Sequence, residues 1–420
     1  MAGPYLQVAF ETAPNYEGAA NAVSSDVFYP FVKTVSEDAG QENFEENDVI
    51  PSTLDPLPHK GSASYVPTMK LGEIHPRPAD LALWLGLVMG SIDTDAGVQG
   101  AGVLDPDSVQ VPVGAWRHVF AFTDVEPPYA MQAYSRSGDG ICHKATGVGC
   151  DELAFKFDKG MMLADASLVP LTLKRVSDPS ITPVVSDEAP FRRGDMSLSW
   201  LAGSAHTTDF EFSIKQDIEA INELMVASDY PSLLQFKNDA QRFIGGKISK
   251  SSMNAVDMAA LEAGTQFAAR IKVVGREHIQ RAAVNIASSS VAAATVVTCA
   301  APHNLPTGTS TVVIAGSTGS TPTINGTHVA TKIDATTFSI PVNCSVGAGA
   351  AGTVVSDTAY HSTLWIELPG CQLTKADADD VAAQRRREGS YEWAARYDAT
   401  TAKLATVTLV NATAAYRTFA

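Results

Sequence analysis

The chain has 420 residues, 45% of them apolar, and carries 46 acidic and 30 basic side chains, a net charge of −16. This length corresponds to two or three ordinary domains, and the apolar fraction is sufficient for packed cores. The acidic balance argues against a protein that grips nucleic acid by its phosphates, which requires clustered lysine and arginine. Because only 18% of the residues are charged, the composition also argues against a disordered acidic chain.

The acidic excess is concentrated towards the N-terminus. Residues 1–173 contain 23 acidic and 9 basic side chains, whereas residues 174–420 contain 23 and 21. We therefore expect the excess negative charge to have a specific functional role in the N-terminal part of the chain.

Compartment and membrane signals are weak. The sequence contains five scattered cysteines: Cys142, Cys150, Cys299, Cys344 and Cys371. Their odd, small number does not indicate a disulfide scaffold. The N-terminal residues resemble no signal peptide, and the longest apolar run, 81–89, is far shorter than the roughly 20 residues of a membrane span. These features predict a soluble protein made in a reducing cytosol.

In the first half, strand patterns surround one clear helix. A strand is predicted over 64–71, and a helix over 79–89 follows it. Pro78 suits the first helical position, and Gly90 suits the position after the last turn. The alternation over 118–122 predicts a further strand.

In the second half, two helices are predicted between strands. The first covers 252–262, with Met253, Val256 and Leu261 on one apolar stripe. The second covers 374–388, where early acids and late arginines would complement the helix dipole. Strands are predicted over 362–368 and 403–410.

A short internal repeat organises the chain. Residues 152–158 (ELAFKFD) resemble 392–398 (EWAARYD), and an alternating strand follows each of them. Upstream, 79–84 resembles 256–261. The spacing between the two matched segments is about 63 residues longer in the second copy, which predicts an insertion of that size.

Residues 286–356 have the composition of such an insertion. This segment contains only two charged side chains, Lys332 and Asp334, among alanine, serine, threonine, valine and glycine. Short β-branched runs alternate with turn residues, which predicts a small inserted β-sandwich.

No motif in the sequence requires catalysis. Cys142, His143 and Cys150 lack the second ligand pair of a tetrahedral metal site, so we interpret them as structural. No Gly-x-Ser-x-Gly elbow, dinucleotide fingerprint or Walker loop is present. We therefore expect no enzymatic activity and no cofactor.

Two charged clusters are the candidate functional residues. An acidic run contains Glu37, Asp38, Glu42, Glu45, Glu46 and Asp48. Such a run is most often a solvated loop, although it also suits paired catalytic carboxylates. The basic cluster comprises Arg385, Arg386 and Arg387, which suit phosphate contacts, a helix C-terminus or a subunit contact.

With these features the chain resembles the tail tube proteins of long-tailed, siphovirus-like bacteriophages, especially those built from two tube-type lobes. The first lobe's pattern comprises 28–31, a linker over 35–60, the strand 64–71, the helix 78–91, 118–122 and 152–172. The second lobe's pattern comprises 209–214, 367–370 and 394–411. These are patterns of apolar and turn residues rather than catalytic signatures.

The resemblance implies a mainly β protein with two tandem tail-tube-type lobes, each a β-sandwich or partial barrel with flanking helices. The first lobe would cover 1–175, with an extended arm over 35–60. The second would combine 176–285 with 357–420. The insert 286–356 would be an immunoglobulin-like β-sandwich that decorates the exterior.

The function implied is that of a structural virion protein. Copies would form rings whose strands close into a continuous barrel, and two lobes per chain suggest three copies per ring. Stacked rings would form a negatively lined conduit through which genomic DNA passes without specific binding. The partners implied are further copies, a tape-measure protein and the tail terminator and tip proteins, with no membrane. The protein would be made in the host cytoplasm and reside in the virion tail tube.

If the resemblance holds, the acidic run that begins at Glu37 would line the lumen or join stacked rings. The three arginines, 385–387, would contact a neighbouring subunit. One alternative is a cell-surface or secreted β-sandwich that binds carbohydrate, which the Thr- and Ser-rich insert favours slightly. Another is a hydrolase that uses carboxylates of the 37–48 segment.

Overall fold

The structure is a computed structural model. It describes residues 5–11, 23–38, 67–96, 103–109, 111–112, 114–122, 130–158, 160–178, 183, 188–201, 207–221, 233–236, 242–251, 255–279, 283–301, 303, 305, 308–346, 351–356, 360–378 and 389–413. Among them, 25 strands and two α-helices are formed. The prediction of a mainly β protein is confirmed.

The described residues of the first part of the chain form ten strands and helix α1. The strands are β1 (Tyr5–Glu11), β2 (Val23–Phe28), β3 (Val32–Asp38), β4 (Thr68–Ile74), β5 (Gly90–Ala96), β6 (Trp116–Phe122), β7 (Met131–Arg136), β8 (Cys142–Asp158), β9 (Met161–Val169) and β10 (Thr172–Val176). Helix α1 covers Pro78–Met89, and Gly90 ends it with a φ of +85°. The helix predicted over 79–89 is therefore confirmed, with both terminal residues in their expected roles.

The second part contains fifteen described strands and helix α2. A short 3₁₀ turn, Arg193–Asp195, precedes β11 (Met196–Ser199), β12 (Thr207–Lys215), β13 (Ile218–Ile221), β14 (Leu233–Phe236), β15 (Phe243–Lys250), α2 (Ala255–Ala263) and β16 (Gln266–Ile279). Then come β17 (Val284–Ser289), β18 (Ala293–Cys299), β19 (Thr309–Ala315), β20 (Gly326–Lys332), β21 (Thr337–Asn343) and β22 (Thr353–Ser356). The last strands are β23 (Tyr360–Ala378), β24 (Gly389–Ala395) and β25 (Thr406–Asn411).

Eight strands form one antiparallel array, here called the long sheet. Their order is β3–β4–β9–β8–β12–β15–β24–β23. Alternate side chains of the long sheet face the core: in β12, Phe210 and Phe212 are buried, whereas Asp209 and Glu211 are exposed. This is the period-2 pattern of a sheet with one buried and one solvated face.

Two long strands, β8 and β23, connect the long sheet to two back sheets. The N-terminal half of β8 belongs to the back sheet β2–β1–β7–β8–β10. The N-terminal half of β23 belongs to the back sheet β11–β16–β23–β25–β6–β5. Each long strand therefore joins the two layers of one sandwich.

The same arrangement of elements occurs twice. We call β1, β3, β4, α1 and β7–β10 the first lobe, and β11, β12, β15, α2, β16 and β23–β25 the second lobe. In chain order each lobe has a leading strand, a hairpin, a helix, a back strand, a bent strand and two closing strands. The two lobes also have a β-bulge at the same place, where the bent strand pairs with the first closing strand. The register shifts between Cys150 and Glu152 in β8 and between Leu373 and Lys375 in β23. A shared irregularity is a stronger sign of duplication than a shared strand order.

The predicted match between 152–158 and 392–398 is wrong by one strand. Residues 152–158 lie in β8, whose counterpart in the second lobe is β23, whereas 392–395 lie in β24. Both strands of a hairpin that faces one core alternate in the same way, so a seven-residue pattern fits either strand. The helix match is consistent with the fold, because Asp80 and Asp257 are both third residues of their helices.

The inserted segment forms a closed six-stranded barrel rather than the predicted β-sandwich. Its six strands run from Val284 to Ser356 in the order β17–β18–β21–β20–β19–β22, and β22 pairs with β17. The barrel has a separate core that includes Val297, Val312 and Phe338. Closure removes exposed strand edges that a small sandwich would leave.

The helix predicted over 374–388 is wrong where it is described. Residues 374–378 extend β23 and pair with β24, from Lys375↔Glu392 to Ala378↔Gly389. Backbone pairing to a neighbouring strand overrides the local charge pattern that suggested a helix. Residues 379–388 lie outside the described residues.

Helix α2 covers Ala255–Ala263, and the predicted stripe is correct at Leu261, which packs against the main core, but wrong at Val256. Val256 is 50% exposed, whereas Asp257 and Ala260 are buried. Asp257 faces inward because Lys250 at the end of β15 places its ammonium 2.5 Å away. Met253 lies outside the described residues. No helix in the described ranges is long and apolar enough to cross a membrane.

Candidate functional site: the open edges of the long sheet

The two lobes meet where β12 pairs with β8. The ladder runs from Glu211↔Lys156 to Lys215↔Glu152. On its buried side, the rings of Phe155 and Phe212 stack with centroids 4.8 Å apart. Backbone pairing with aromatic contact makes this junction a continuous part of the protein core. We call it the lobe junction.

Both ends of the long sheet are open among the described residues. At one end, β3 pairs with β4 alone, and Lys33, Thr34, Val35 and Ser36 are exposed. At the other end, β16 covers the outer edge of β23 only as far as Gln372. The backbone edge of 373–378 therefore has no described partner on that side. Open edges of this length are sites where another strand can add.

The two open edges are equivalents of the two strands at the lobe junction. Strand β3 begins the first lobe's hairpin as β12 begins the second lobe's hairpin. The bulge register aligns Cys150 with Leu373, so the junction residues 152–155 correspond to 375–378. The open edges at β3 and β23 therefore have the strand geometry that pairs β12 with β8 at the lobe junction.

A cleft of about 660 Å³ lies behind β3, against the first back sheet. Its lining includes Tyr29, Phe31, Val35, Ile141 and His143. Phe31 is 54% exposed and Val35 is 39% exposed. The open edge at β3 therefore has an accessible apolar flank.

Of the six acidic candidates, Glu37 and Asp38 are described. Glu37 accepts a hydrogen bond from the Ser135 hydroxyl, and its Oε2 lies 2.6 Å from His143 Nδ1. These contacts join β3 to the back sheet. Asp38 is exposed at the end of β3. The other candidates, Glu42, Glu45, Glu46, Asp48, Arg385, Arg386 and Arg387, lie outside the described residues, as does most of the predicted arm over 35–60.

The solvated face of the long sheet carries a row of alternating charges. Its members lie directly opposite one another on five neighbouring strands: Lys375, Glu392, Lys247, Glu211 and Lys156. The row crosses the lobe junction, and Lys156 also pairs with Asp165 at 3.0 Å. Each lysine therefore has a carboxylate neighbour, which opposite-charge pairing across strands favours. We call this set the charge row.

The charge row could not be found from the sequence. Its residues are single charges at alternating positions of separate strands, which by themselves indicate only solvated faces. Their alignment depends on the register of five strand pairings.

A buried polar network joins α1 to the second lobe. The Asn411 amide donates to the Pro78 carbonyl at 2.6 Å, and Asn411 Oδ1 lies 3.1 Å from His118 Nε2. Burial lowers the pKa of His118 to about 4, although its contact with Asn411 opposes that shift. Burial raises the pKa of Asp80, in the same first turn of α1 as Pro78, to about 7. The hydrogen bonds of Asn411 to the Pro78 carbonyl and to the neutral His118 imidazole fix α1 against the second lobe.

The loop before β6 also links the lobes. Asp107 accepts from Lys272 Nζ at 2.6 Å and pairs with Arg270 at 2.7 Å. Asp105 accepts from the Tyr360 hydroxyl at 2.7 Å. Lysine, arginine and tryptophan contacts hold the pKa of Asp107 below its usual range despite burial. These contacts anchor the first part of the chain on the back sheet of the second lobe.

The cysteines are all buried and free. Burial raises the pKa of Cys150 strongly, that of Cys371 to about 12 and that of Cys299 to about 11. High thiol pKa values and burial make these groups unreactive. In the part of the chain that is described, no group of three or more His, Cys, Asp or Glu residues is placed to hold a metal ion.

Compared with known proteins, the chain matches no protein-family model and no curated protein.

Proposed function

We propose that this protein is a structural subunit that assembles into closed rings, and that the rings stack into a bacteriophage tail tube. One observation carries the proposal: the lobe junction pairs β12 with β8, and the equivalents of these strands, β3 and β23, are the open ends of the same sheet. In the assembly, β3 of one copy pairs with β23 of the next as β12 pairs with β8.

Repetition of the internal geometry leads to a closed ring. A contact in which one end of a molecule binds the other end of the next is head to tail, and it forms a ring when its rotation closes. The rotation from one lobe to the next can be the same within a chain and between two copies. In that case, one repeated rotation relates all lobes of the ring. The two tail-tube-type lobes then make three copies the expected number, each copy contributing eight strands to one barrel.

The charges of the solvated face suit a bore through which DNA passes. A lysine that already has carboxylate neighbours offers little to a phosphate group, because binding would have to break those pairs. The charge row therefore favours a lining to which DNA does not adhere. The overall net charge of −16 adds long-range repulsion of the polyanion.

Cysteine cross-linking tests the pairing directly. The ladders of the two hairpins align Asp38 of β3 with Ser213 of β12, and Asp377 corresponds to Ala154. Since Ser213 lies opposite Ala154 inside the chain, Asp38 of one copy is expected opposite Asp377 of the next. We expect the D38C/D377C variant, after assembly and mild oxidation, to form covalent rings on a non-reducing gel, with trimers as the largest closed species. Directly opposite residues of an antiparallel pair have Cα atoms about 4.5 to 5.5 Å apart, which is within the range of disulfides.

The internal junction supplies the matched control. The S213C/A154C variant should form an intramolecular disulfide and remain a single chain on the gel, which shows that the oxidation works. The native cysteines are buried and should not contribute. Electron microscopy of the same samples should show rings or tubes. A protein that remains monomeric at high concentration and gives no intermolecular product would overturn the proposal. Binding of that monomer to a glycan array would favour the carbohydrate-binding alternative.

A further inference from the structure

The two equivalent helices differ in burial. In α1, eleven of twelve residues are buried, and the helix contacts β12 and β25 of the second lobe as well as its own strand β8. In α2, only two of nine residues are buried, and its main contact is β23 of its own lobe. We call the exposed residues the outer face of α2: Ala255, Val256, Ala259, Glu262 and Ala263.

We propose that the outer face of α2 is a second contact between copies and that it binds β10 and β3 of the next copy. This inference rests on the ring of the proposed function. Strands β10 and β3 are the first-lobe equivalents of β25 and β12, the strands that α1 contacts across the lobe junction. When β3 of the next copy joins β23, which itself packs on α2, its lobe arrives beside this face.

The side chains at equivalent helix positions support the contact. With Asp80 matched to Asp257, Ala259 and Glu262 correspond to Ala82 and Leu85, both completely buried. The outer face of α2 combines small residues and the half-exposed Val256, which allow close approach of a neighbouring strand.

Charge complementarity identifies the partner strand. Strand β10 presents Lys174 and Arg175, both exposed, where the equivalent strand β25 carries uncharged residues. Position 262 is correspondingly an exposed glutamate where α1 has Leu85. Lys174 and Arg175 are successive residues, so each face of β10 carries one cation, and a carboxylate on α2 with a cation on the facing side of β10 gives the opposite signs that steer one copy to the next.

Substitutions on this face test the inference in the full-length protein. We expect A259R, which places a bulky cation in the contact, and E262K, which reverses its charge, to raise the protein concentration needed for half-maximal ring formation by about tenfold or more in sedimentation velocity. The thermal midpoint of the monomer should stay unchanged, because both positions are exposed. Adding K174E and R175E to E262K should restore assembly.

The control is V329R, at a position of the barrel that is 57% exposed, which should assemble as the wild type does. If the wild type forms rings and both A259R and E262K assemble normally, this inference is wrong while the proposed function survives. If the wild type and the cross-linking variant form no rings, the proposed function fails first. Lack of rescue by K174E/R175E in E262K would show that β10 is not the partner.

Discussion

At the scale of single residues, one contact between the lobes depends on a histidine that is buried in its neutral form. His118 is completely buried between Thr94 Oγ1 and Asn411 Oδ1, at 3.0 and 3.1 Å. Its pKa is about 4 in the folded chain, against an ordinary value of 6.5. Above pH 6.5 both the folded and the unfolded chain hold a neutral imidazole, so the full stability is present. Below pH 6.5 the unfolded chain takes up the proton first.

We therefore expect His118 to cost the protein stability as the pH falls. Between pH 7 and pH 4 the free energy of unfolding of the wild type should decrease by about 3 kcal/mol more than that of the H118Q variant. The comparison isolates His118, because the raised pKa of Asp80 acts with the opposite sign in both proteins. Urea unfolding at several pH values measures the difference. Parallel curves for H118Q and the wild type would contradict the assignment.

Residue-scale expectations from the sequence depend on burial that only tertiary contacts decide. The termini of helix α1 could be predicted from Pro78 and Gly90. Because this helix is apolar around its whole circumference, no buried face had to be predicted. In α2, the pattern suggested that Val256 faces the core, but the buried pair of Lys250 and Asp257 turns the other face inward. A buried ion pair between residues seven apart has no distinctive sequence pattern.

At the scale of elements, alternation predicted the strands well but did not predict their partners. Segments 118–122 and 362–368 lie in β6 and β23 as expected. The neighbours that define the candidate site, β12 beside β8 and β16 beside β23, come from distant parts of the chain. Pairing of this kind depends on the core that both strands share, which a local pattern does not encode.

The charge row leads to a prediction at the same scale. Replacing Glu211 and Glu392 with glutamine removes the carboxylates between Lys375, Lys247 and Lys156 while keeping the side-chain size. We expect assembled E211Q/E392Q protein to retain double-stranded DNA at 50 mM salt, with retention decreasing steeply at higher salt, whereas the wild type retains none. An electrophoretic mobility assay measures the retention.

The matched control for the charge row is E219Q/D334N, which removes two carboxylates from the β13–β14 hairpin and the barrel, leaves the long sheet unchanged and should not bind DNA. If E211Q/E392Q assembles and still fails to retain DNA at low salt, the charge row does not protect the bore. Loss of assembly in the variant would instead show that the row contributes to the lobe junction.

At the scale of the whole molecule, the barrel is separate from the duplicated lobes. The barrel core and the core of the lobes are distinct clusters. The chain leaves the second lobe after Ile279 and returns at Tyr360, and these two residues are paired neighbours in the β16–β23 ladder. An insertion whose ends meet at adjacent strands can be removed without stretching the parent fold.

Excision of the barrel tests this modular organisation. We expect a chain in which an Asn-Gly turn replaces residues 280–359 to fold and to assemble into rings, because a two-residue turn is sufficient to join paired antiparallel strands. Electron microscopy should show rings with the same bore but without the outer density of the barrel. The Tyr360 contact with Asp105 remains available, so thermal unfolding of the lobes should keep its midpoint within a few degrees. An excised chain that folds but fails to assemble would place the barrel in the contact between copies. That result would contradict the view that β3, β23 and α2 are sufficient to close the ring.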